Sequence, residues 1–240
     1  MTQNNRPGQS TRRMAAKRRK ATLAVGIGLL VLMIAIALLL QSHFVAGIGG
    51  ATLGLLVLMR IIADLAEGAT RRGFKAERRA LRGARGEEAV GEILSTLGGD
   101  FFAIHDIESP YGNIDHIVIT RGGAVCMLET KAHGGQASVE NGTLLLNGKP
   151  PEKDFVRQAL RNATWLSERL TGLVGAKTWV TPIIVFSNAF VPRLQPVRGV
   201  RIINKRFLAS ELSSVARHSP AGSKPWEMRG LIAGSLRQPS

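Results

Sequence analysis

The chain has 240 residues, with 32 lysines and arginines against 17 aspartates and glutamates, 45% apolar residues and a single cysteine. Lone Cys126 excludes an internal disulfide and a multi-cysteine zinc site, and it suits a reducing compartment for the folded part. The net charge of +15 suggests nucleic acid, but residues 1–86 carry +12 of it and residues 87–240 only +3, so the basic excess belongs to the N-terminal third.

A basic N-terminus, residues 1–20, leads into Ala21 to Leu40, a run of 20 residues without a charged side chain. That length lets a helix cross the roughly 30 Å hydrocarbon core of a bilayer. Gln41, Ser42 and His43 follow, then a second uncharged run from Phe44 to Met59, which Arg60 can extend to Ala63 by snorkelling. The pattern predicts a two-helix transmembrane hairpin over residues 21–63, turning at Gln41 to His43. Arg12, Arg13, Lys17, Arg18, Arg19 and Lys20 precede it, and Arg71, Arg72, Lys75, Arg78, Arg79 and Arg82 follow. The positive-inside rule then puts both termini in the cytoplasm and the protein in the inner (plasma) membrane. A cleaved signal peptide is the competing reading, against which the apolar run exceeds the usual h-region of about 7–15 residues. Gly50 and Gly54 form a small-xxx-small spacing, serving either packing inside the hairpin or a homodimer contact.

Residues 64–85 turn to Arg, Lys, Ala and Gly and read as a basic helical linker suited to anionic lipid headgroups, or to nucleic acid. Residues 86–205 then carry the pattern of one compact domain. Ala89, Val90, Ile93, Leu94 and Leu97 predict an opening helix from Glu87 to Leu97, stopped by Gly98 and Gly99. Phe101 to Ile107, Ile114 to Thr120 and Ala124 to Thr130 read as an antiparallel meander, divided by turn signals at Tyr111-Gly112-Asn113 and Arg121-Gly122-Gly123. Gln136 to Val139 and Thr143 to Leu146 form a small hairpin. Asp154 caps a helix whose apolar stripe is Phe155, Ala159, Ala163, Leu166 and Leu170. Pro182 to Phe186 reads as a strand buried on both faces and Val200 to Ile203 as another. Residues 206–240 hold a closing helix, Phe207 to Arg217, and a tail without a strong pattern. The order predicts an α/β fold with a mixed sheet flanked by helices.

No Walker-type phosphate loop, G-x-S-x-G elbow or H-E-x-x-H occurs. A carboxylate cluster remains. Glu129 and Lys131 share one face of the third strand by the period-two rule. With a three-residue loop at Arg121 to Gly123, Asp115 faces Glu129 across the strands, a like-charge pair that is destabilising unless something positive lies between. A hard divalent cation, or Lys131 in part, resolves the conflict. A two-residue loop would instead set Asp115 opposite Thr130 and weaken the argument. Taken singly, each residue also has a plain structural reading: Glu87 or Glu88 as a favourable charge near a helix start, Lys131–Glu129 as a surface ion pair, Gln158 and Asn162 as flanks of the core stripe.

Gly86-Glu87, Gly112-Asn113-Ile114-Asp115-His116, Glu129-Thr130-Lys131, Gly134-Gly135 and Gln158, in this order, resemble the nuclease-related (NERD) domain. This family is a branch of the PD-(D/E)XK nuclease-like superfamily, and the likeness covers roughly Gly83 to Val191. It implies a restriction-endonuclease-like fold in which Asp115 and Glu129 bind Mg²⁺ (or Mn²⁺). It also implies that Lys131 orients or deprotonates the attacking water, with Glu87 and Gln158 in support. Ile114 stands where the superfamily name has proline. The expected activity is metal-dependent hydrolysis of DNA at the cytoplasmic face of the membrane. The alternative is a catalytically idle, membrane-tethered nucleic-acid-binding or signalling module.

Overall fold

The computed structural model describes residues 7–45, 49–192, 196–218 and 222–237. The chain divides into two compact units, one over Thr11–Leu81 and one combining Met1–Ser10 with Arg82–Ser240.

In the first unit, helix α1 (Gln9–Val45) runs without interruption through Gln41, Ser42 and His43. The turn expected there is absent, because none of the three is Gly or Pro and uncharged polar residues cost a helix less than about 0.7 kcal/mol each. Residues 46–48 lie outside the described residues. Among the described residues one segment, Thr11–Leu39, is long and apolar enough to cross a membrane, and its Ile27, Leu30, Val31, Ile34 and Leu38 are exposed. No second span is found among them, so the expected pair of spans reduces to one candidate; part of the second run, Gly47 included, lies outside the described residues. Helix α2 (Gly49–Thr96) meets α1 at small residues. A side chain at Gly73 would overlap Thr22, and one at Gly26 would meet the Thr70 methyl at 3.7 Å, so the two helices touch in antiparallel sense. Gly54 has open space around it, and the close approach expected there occurs at Gly26 and Gly73 instead.

Helix α2 continues through the basic linker into the second unit, with no fresh start at Glu87. Ala, Arg, Lys and Glu are strong helix formers, and single glycines weaken such a helix by only about 1 kcal/mol each. The N-terminal residues lie against it: a side chain at Gly91 would overlap Pro7, and one at Gly8 would stand 3.0 Å from the Ala84 carbonyl oxygen.

The central sheet contains β1 (Phe101–Ser109), β2 (Gly112–Thr120), β3 (Val125–Lys131), β6 (Val180–Phe186) and β7 (Arg201–Asn204), in that spatial order. The first three strands form the expected antiparallel meander, while β3–β6 and β6–β7 pair in parallel, which makes the sheet mixed. A separate hairpin, β4 (Ala137–Glu140) with β5 (Thr143–Leu146), follows β3. Helix α3 (Phe155–Val174) is capped by Asp154, whose carboxylate accepts from the Arg157 N–H at 2.9 Å, and it ends on left-handed Gly175. Ile117, Ile119, Met127, Ile184 and Phe186 face α3 through Ala159, Leu166 and Leu170. Val118, Cys126, Leu128, Ile183 and Val185 face α2 and the closing helix α4 (Leu208–His218) on the other side. Two short helices, α5 (Lys224–Glu227) and α6 (Arg229–Leu236), set Ile232, Ala233 and Leu236 into the α3-side core.

One irregularity places the site. Ile104 and Ile107 both enter the α3-side core, as do Ile114 and Ile117. Residues three apart point to opposite faces of a regular strand, so β1 and β2 each change face in between. Pairing lapses between His105–His116 and Ile107–Ile114, where Asp106 takes a left-handed φ of 59° opposite Asp115.

Candidate active site

The loop Arg121 to Gly123 is a three-residue connection: the Thr120 N–H donates to the Ala124 carbonyl at 2.9 Å and the Gly123 N–H to the Thr120 carbonyl at 2.8 Å. Pairs such as His116–Leu128 and Ile117–Met127 fix the register that sets Asp115 across from Glu129 when carried one step further. The ladder stops before that step. There the Asp115 carboxylate itself accepts the Thr130 N–H at 2.6 Å, taking the place of a backbone partner.

Glu129 and Lys131 project together from β3 toward α3. Glu129 is 3% exposed, and its Oε1 accepts from Lys131 Nζ at 2.7 Å and from Gln158 Nε2 at 3.0 Å. Lys131 also donates to Gln158 Oε1 at 3.2 Å, and its ammonium stands 4.6 Å from the centre of the Phe155 ring. The Lys131–Glu129 pair is therefore enclosed, with 12% and 4% side-chain exposure, not the surface ion pair of the plain reading. The second carboxylate oxygen, Glu129 Oε2, is buried with no hydrogen-bond partner.

Glu87 reaches the cluster from α2 and is buried. Its entry depends on Gly86, where a side chain would meet Ser187 Oγ at 2.9 Å and the Ala132 Cβ at 3.2 Å. Burial pushes the Asp115 carboxyl well above the ordinary range, and the charges of Glu129 and Glu87 push it further, while the Thr130 N–H and Lys131 oppose the shift. Three carboxylates thus share one field with one ammonium. The fold brings together all five residues singled out in the sequence: Glu87, Asp115, Glu129, Lys131 and Gln158.

Other motif residues serve the scaffold. Gly135 has φ 91°, and a side chain there would overlap the Asn147 amide, whose Oδ1 accepts from the Gln136 N–H at 2.9 Å. Asn113 donates to Asp106 at 2.5 Å. Fully buried Asn162 contacts the Ser109 hydroxyl at 2.7 Å and so ties α3 to the β1–β2 turn, a structural role. His116 Nδ1 faces His105 Nδ1 at 2.8 Å, and burial with the neighbouring His105 lowers the His116 pKa to about 3. Reading the sequence missed Phe155 as the ring under Lys131, Asp106 as the break opposite Asp115, and the Thr130 N–H. The first lies in the α3 stripe and looked like core alone. The other two are backbone features without a side-chain signature.

The site offers oxygen donors, the carboxylates of Asp115 and Glu129. Oxygen ligands suit Mg²⁺, which commonly takes one or two carboxylates from a protein and fills its remaining positions with water and phosphate. Among the described residues no three His, Cys, Asp or Glu side chains form a set able to hold a metal on their own. The partnerless Glu129 oxygen and the carboxylate repulsion at Asp115 are the features a cation would relieve. A cavity of about 700 Å³ lies elsewhere, lined by residues such as Phe190, Arg201, Phe207 and Glu211, and contains none of these groups.

No curated protein and no solved structure matches the chain. Residues 82–187, the stretch that holds all five of these side chains, match the family model of the nuclease-related domain, NERD.

Proposed function

We propose that this protein is a membrane-anchored phosphodiester hydrolase that cuts DNA with Mg²⁺ or Mn²⁺ at the cytoplasmic face. The observation that carries the reading is the buried, partnerless Glu129 Oε2 beside Asp115, with Lys131 locked against the other oxygen of the same carboxylate. Asp115 and Glu129 would hold the cation. When bound, it would neutralise charge on the phosphate oxygens and favour deprotonation of an attacking water.

The protein's own groups do the positioning. Glu129, Gln158 and the Phe155 ring fix the Lys131 ammonium, so its charge is aimed before substrate arrives and costs no reorganisation during the reaction. From there it orients the water that adds to phosphorus as the bond to the leaving sugar oxygen breaks and that oxygen takes a proton. Glu87 completes the negative side of the site from α2. The Asp115–Thr130 hydrogen bond holds the carboxylate at the end of the ladder.

Anchoring is supported by the apolar Thr11–Leu39 segment and by the basic residues Arg12 to Lys20 at its N-terminal end. Helix α2, which touches α1 in antiparallel sense, would return the chain across the bilayer, and the seating of Pro7 and Gly8 on Gly91 and Ala84 supports both flanks of residues 11–81 lying on one side of the membrane. A second reading, an idle nucleic-acid-binding or signalling module, draws on the lack of a three-residue metal set among the described residues. Lys131→Ala separates the two. In purified full-length protein, metal-dependent cutting of DNA that Lys131→Ala and Asp115→Asn both abolish supports the hydrolase, and no cutting by wild type in Mg²⁺ or Mn²⁺ refutes it.

A further inference from the structure

The β1–β2 turn and the first half of α3 build a second feature beside the carboxylates. Tyr111, the only tyrosine in the chain, stands at the tip of that turn with 51% of its surface exposed. The Arg161 guanidinium lies 5.6 Å from the centre of its ring. Arg161 and Arg157 are one helical turn apart, both exposed, on a face of α3 that carries no acidic residue in its first turn. Neither makes an ion pair among the described residues, whereas Arg121 pairs with Asp100 and Arg201 with Glu211. Lys153 lies in the bend just before α3, flanked by Glu152 and by Asp154, whose carboxylate is engaged in capping the helix.

This surface adjoins the site directly. Gln158, which binds Glu129 and Lys131, lies on α3 between Arg157 and Arg161, and Gln158 Nε2 comes within 4.0 Å of where a Gly112 side chain would begin. Ser109 and Asn162 clamp the same turn to the same helix. The turn that carries Tyr111 is therefore tied to the helix that carries Gln158.

An exposed ring with an arginine against it and unpaired arginines alongside is the combination that binds an unpaired strand: bases stack on the aromatic face while cations follow the phosphates. A duplex would bring phosphates to the arginines but hides its base faces in the stack, leaving Tyr111 unused. We infer that Tyr111, Arg161 and Arg157 form a binding platform for single-stranded DNA that feeds the strand to the Glu129–Lys131 site. The inference names the substrate form and rests on the hydrolase reading for its purpose, though binding itself requires no metal and no cutting.

The test is fluorescence anisotropy of labelled single-stranded and duplex oligonucleotides against full-length protein in detergent micelles, in EDTA. Tyr111→Ala should weaken single-strand binding by about 5-fold to 100-fold, the range that base–aromatic stacking gives, with Tyr111→Phe restoring most of it. Arg161→Ala should weaken it and flatten its salt dependence. Trp179→Ala is the control, because exposed Trp179 carries Lys177 at 4.3 Å in the same kind of pair at the start of β6, away from the site. Equal losses for Tyr111→Ala and Trp179→Ala, equal losses on single strand and duplex, or tighter binding of the matching RNA would overturn the inference. Tyr111-dependent binding by a protein that cuts nothing in Mg²⁺ would uphold the platform while removing the hydrolase.

Discussion

Asp115→Asn is the most informative single change, because it removes a charge and leaves an oxygen to accept the Thr130 N–H. The native Asp115 pKa is raised above its unfolded value, so its favourable contribution is present at pH below about 3.9 and is lost as pH rises through the native pKa. At pH 7.5 without metal the wild-type site therefore carries a penalty, and Asp115→Asn should melt at a higher temperature than wild type in EDTA. A cation reverses the order. At a free concentration one hundred times its Kd it contributes about 2.7 kcal/mol to the state that binds it. For a domain of about 160 residues this corresponds to roughly 5–11 °C in Tm. Trp165, Trp179 and Trp226 all lie in the Arg82–Ser240 unit, so tryptophan fluorescence of full-length protein reports that unit alone. Wild type should gain several degrees in Mg²⁺ or Mn²⁺, and Asp115→Asn and Glu129→Gln should gain almost nothing. Equal gains in wild type and variants, or a lower Tm for Asp115→Asn in EDTA, would refute the reasoning.

Reporter fusions after Arg85 should be active only for a cytoplasmic reporter; activity of a periplasmic reporter at that position would overturn the proposed topology. Reversing the charges of Arg71, Arg72, Lys75, Arg78 and Arg79 should release the protein's basic segment from anionic vesicles, at about 1 kcal/mol per residue at low salt. Gly86→Ala should destabilise the folded unit by about 1–3 kcal/mol through overpacking against Ser187 and Ala132, read as a lower urea midpoint. His116 stays neutral in the native state to a pKa of about 3, whereas the unfolded residue protonates near 6.5. Its contribution to stability should therefore fall by about 1.4 kcal/mol per pH unit on acidification through that window, and the difference between wild type and His116→Phe in a Tm-versus-pH series should show it.

Much of the fold after Arg82 was legible because its signals are local. Glycine-bearing turns divide the meander, the period-two pattern sorts Met127 from Leu128 onto opposite faces, and the Asp154 cap with its apolar stripe marks α3. Register hung on loop length, which the sequence left open between two and three residues; the three-residue turn at Arg121 to Gly123 sets Asp115 across from Glu129. Helix boundaries were less legible. The linker and the opening helix differ in composition but not in helix propensity, so a change from Arg and Ala to an amphipathic pattern marked a change of surroundings within α2 and no break. Gln41 to His43 shows the same point from the other side, since polarity in an apolar run changes solvent preference without bending the backbone. The tail after Ser219 was opaque because Ile232, Ala233 and Leu236 gain their meaning from a core that reaches back to β1, more than a hundred residues earlier in the chain.

The site divides along the same line. Residue types announced that carboxylates and an ammonium would meet, since alternation puts Glu129 and Lys131 on one face whatever else happens. Their surroundings come from departures from regularity. Had β1 and β2 kept strict alternation, Ile107 and Ile114 would face α2, away from α3, and the turn bearing Tyr111 would not close over Gln158. The left-handed Asp106 and the side-chain cap on the Thr130 N–H produce that change of face at the point where the ladder ends. A backbone conformation that an L-residue adopts at a cost is kept only where the surrounding structure enforces it. Here the enforcement comes from Ile107 and Ile114 in the core and from Ser109 on Asn162. The irregularity and the carboxylate cluster are thus one structure: the break that costs strand pairing at Asp106 and Asp115 frees the Asp115 side chain to face Glu129.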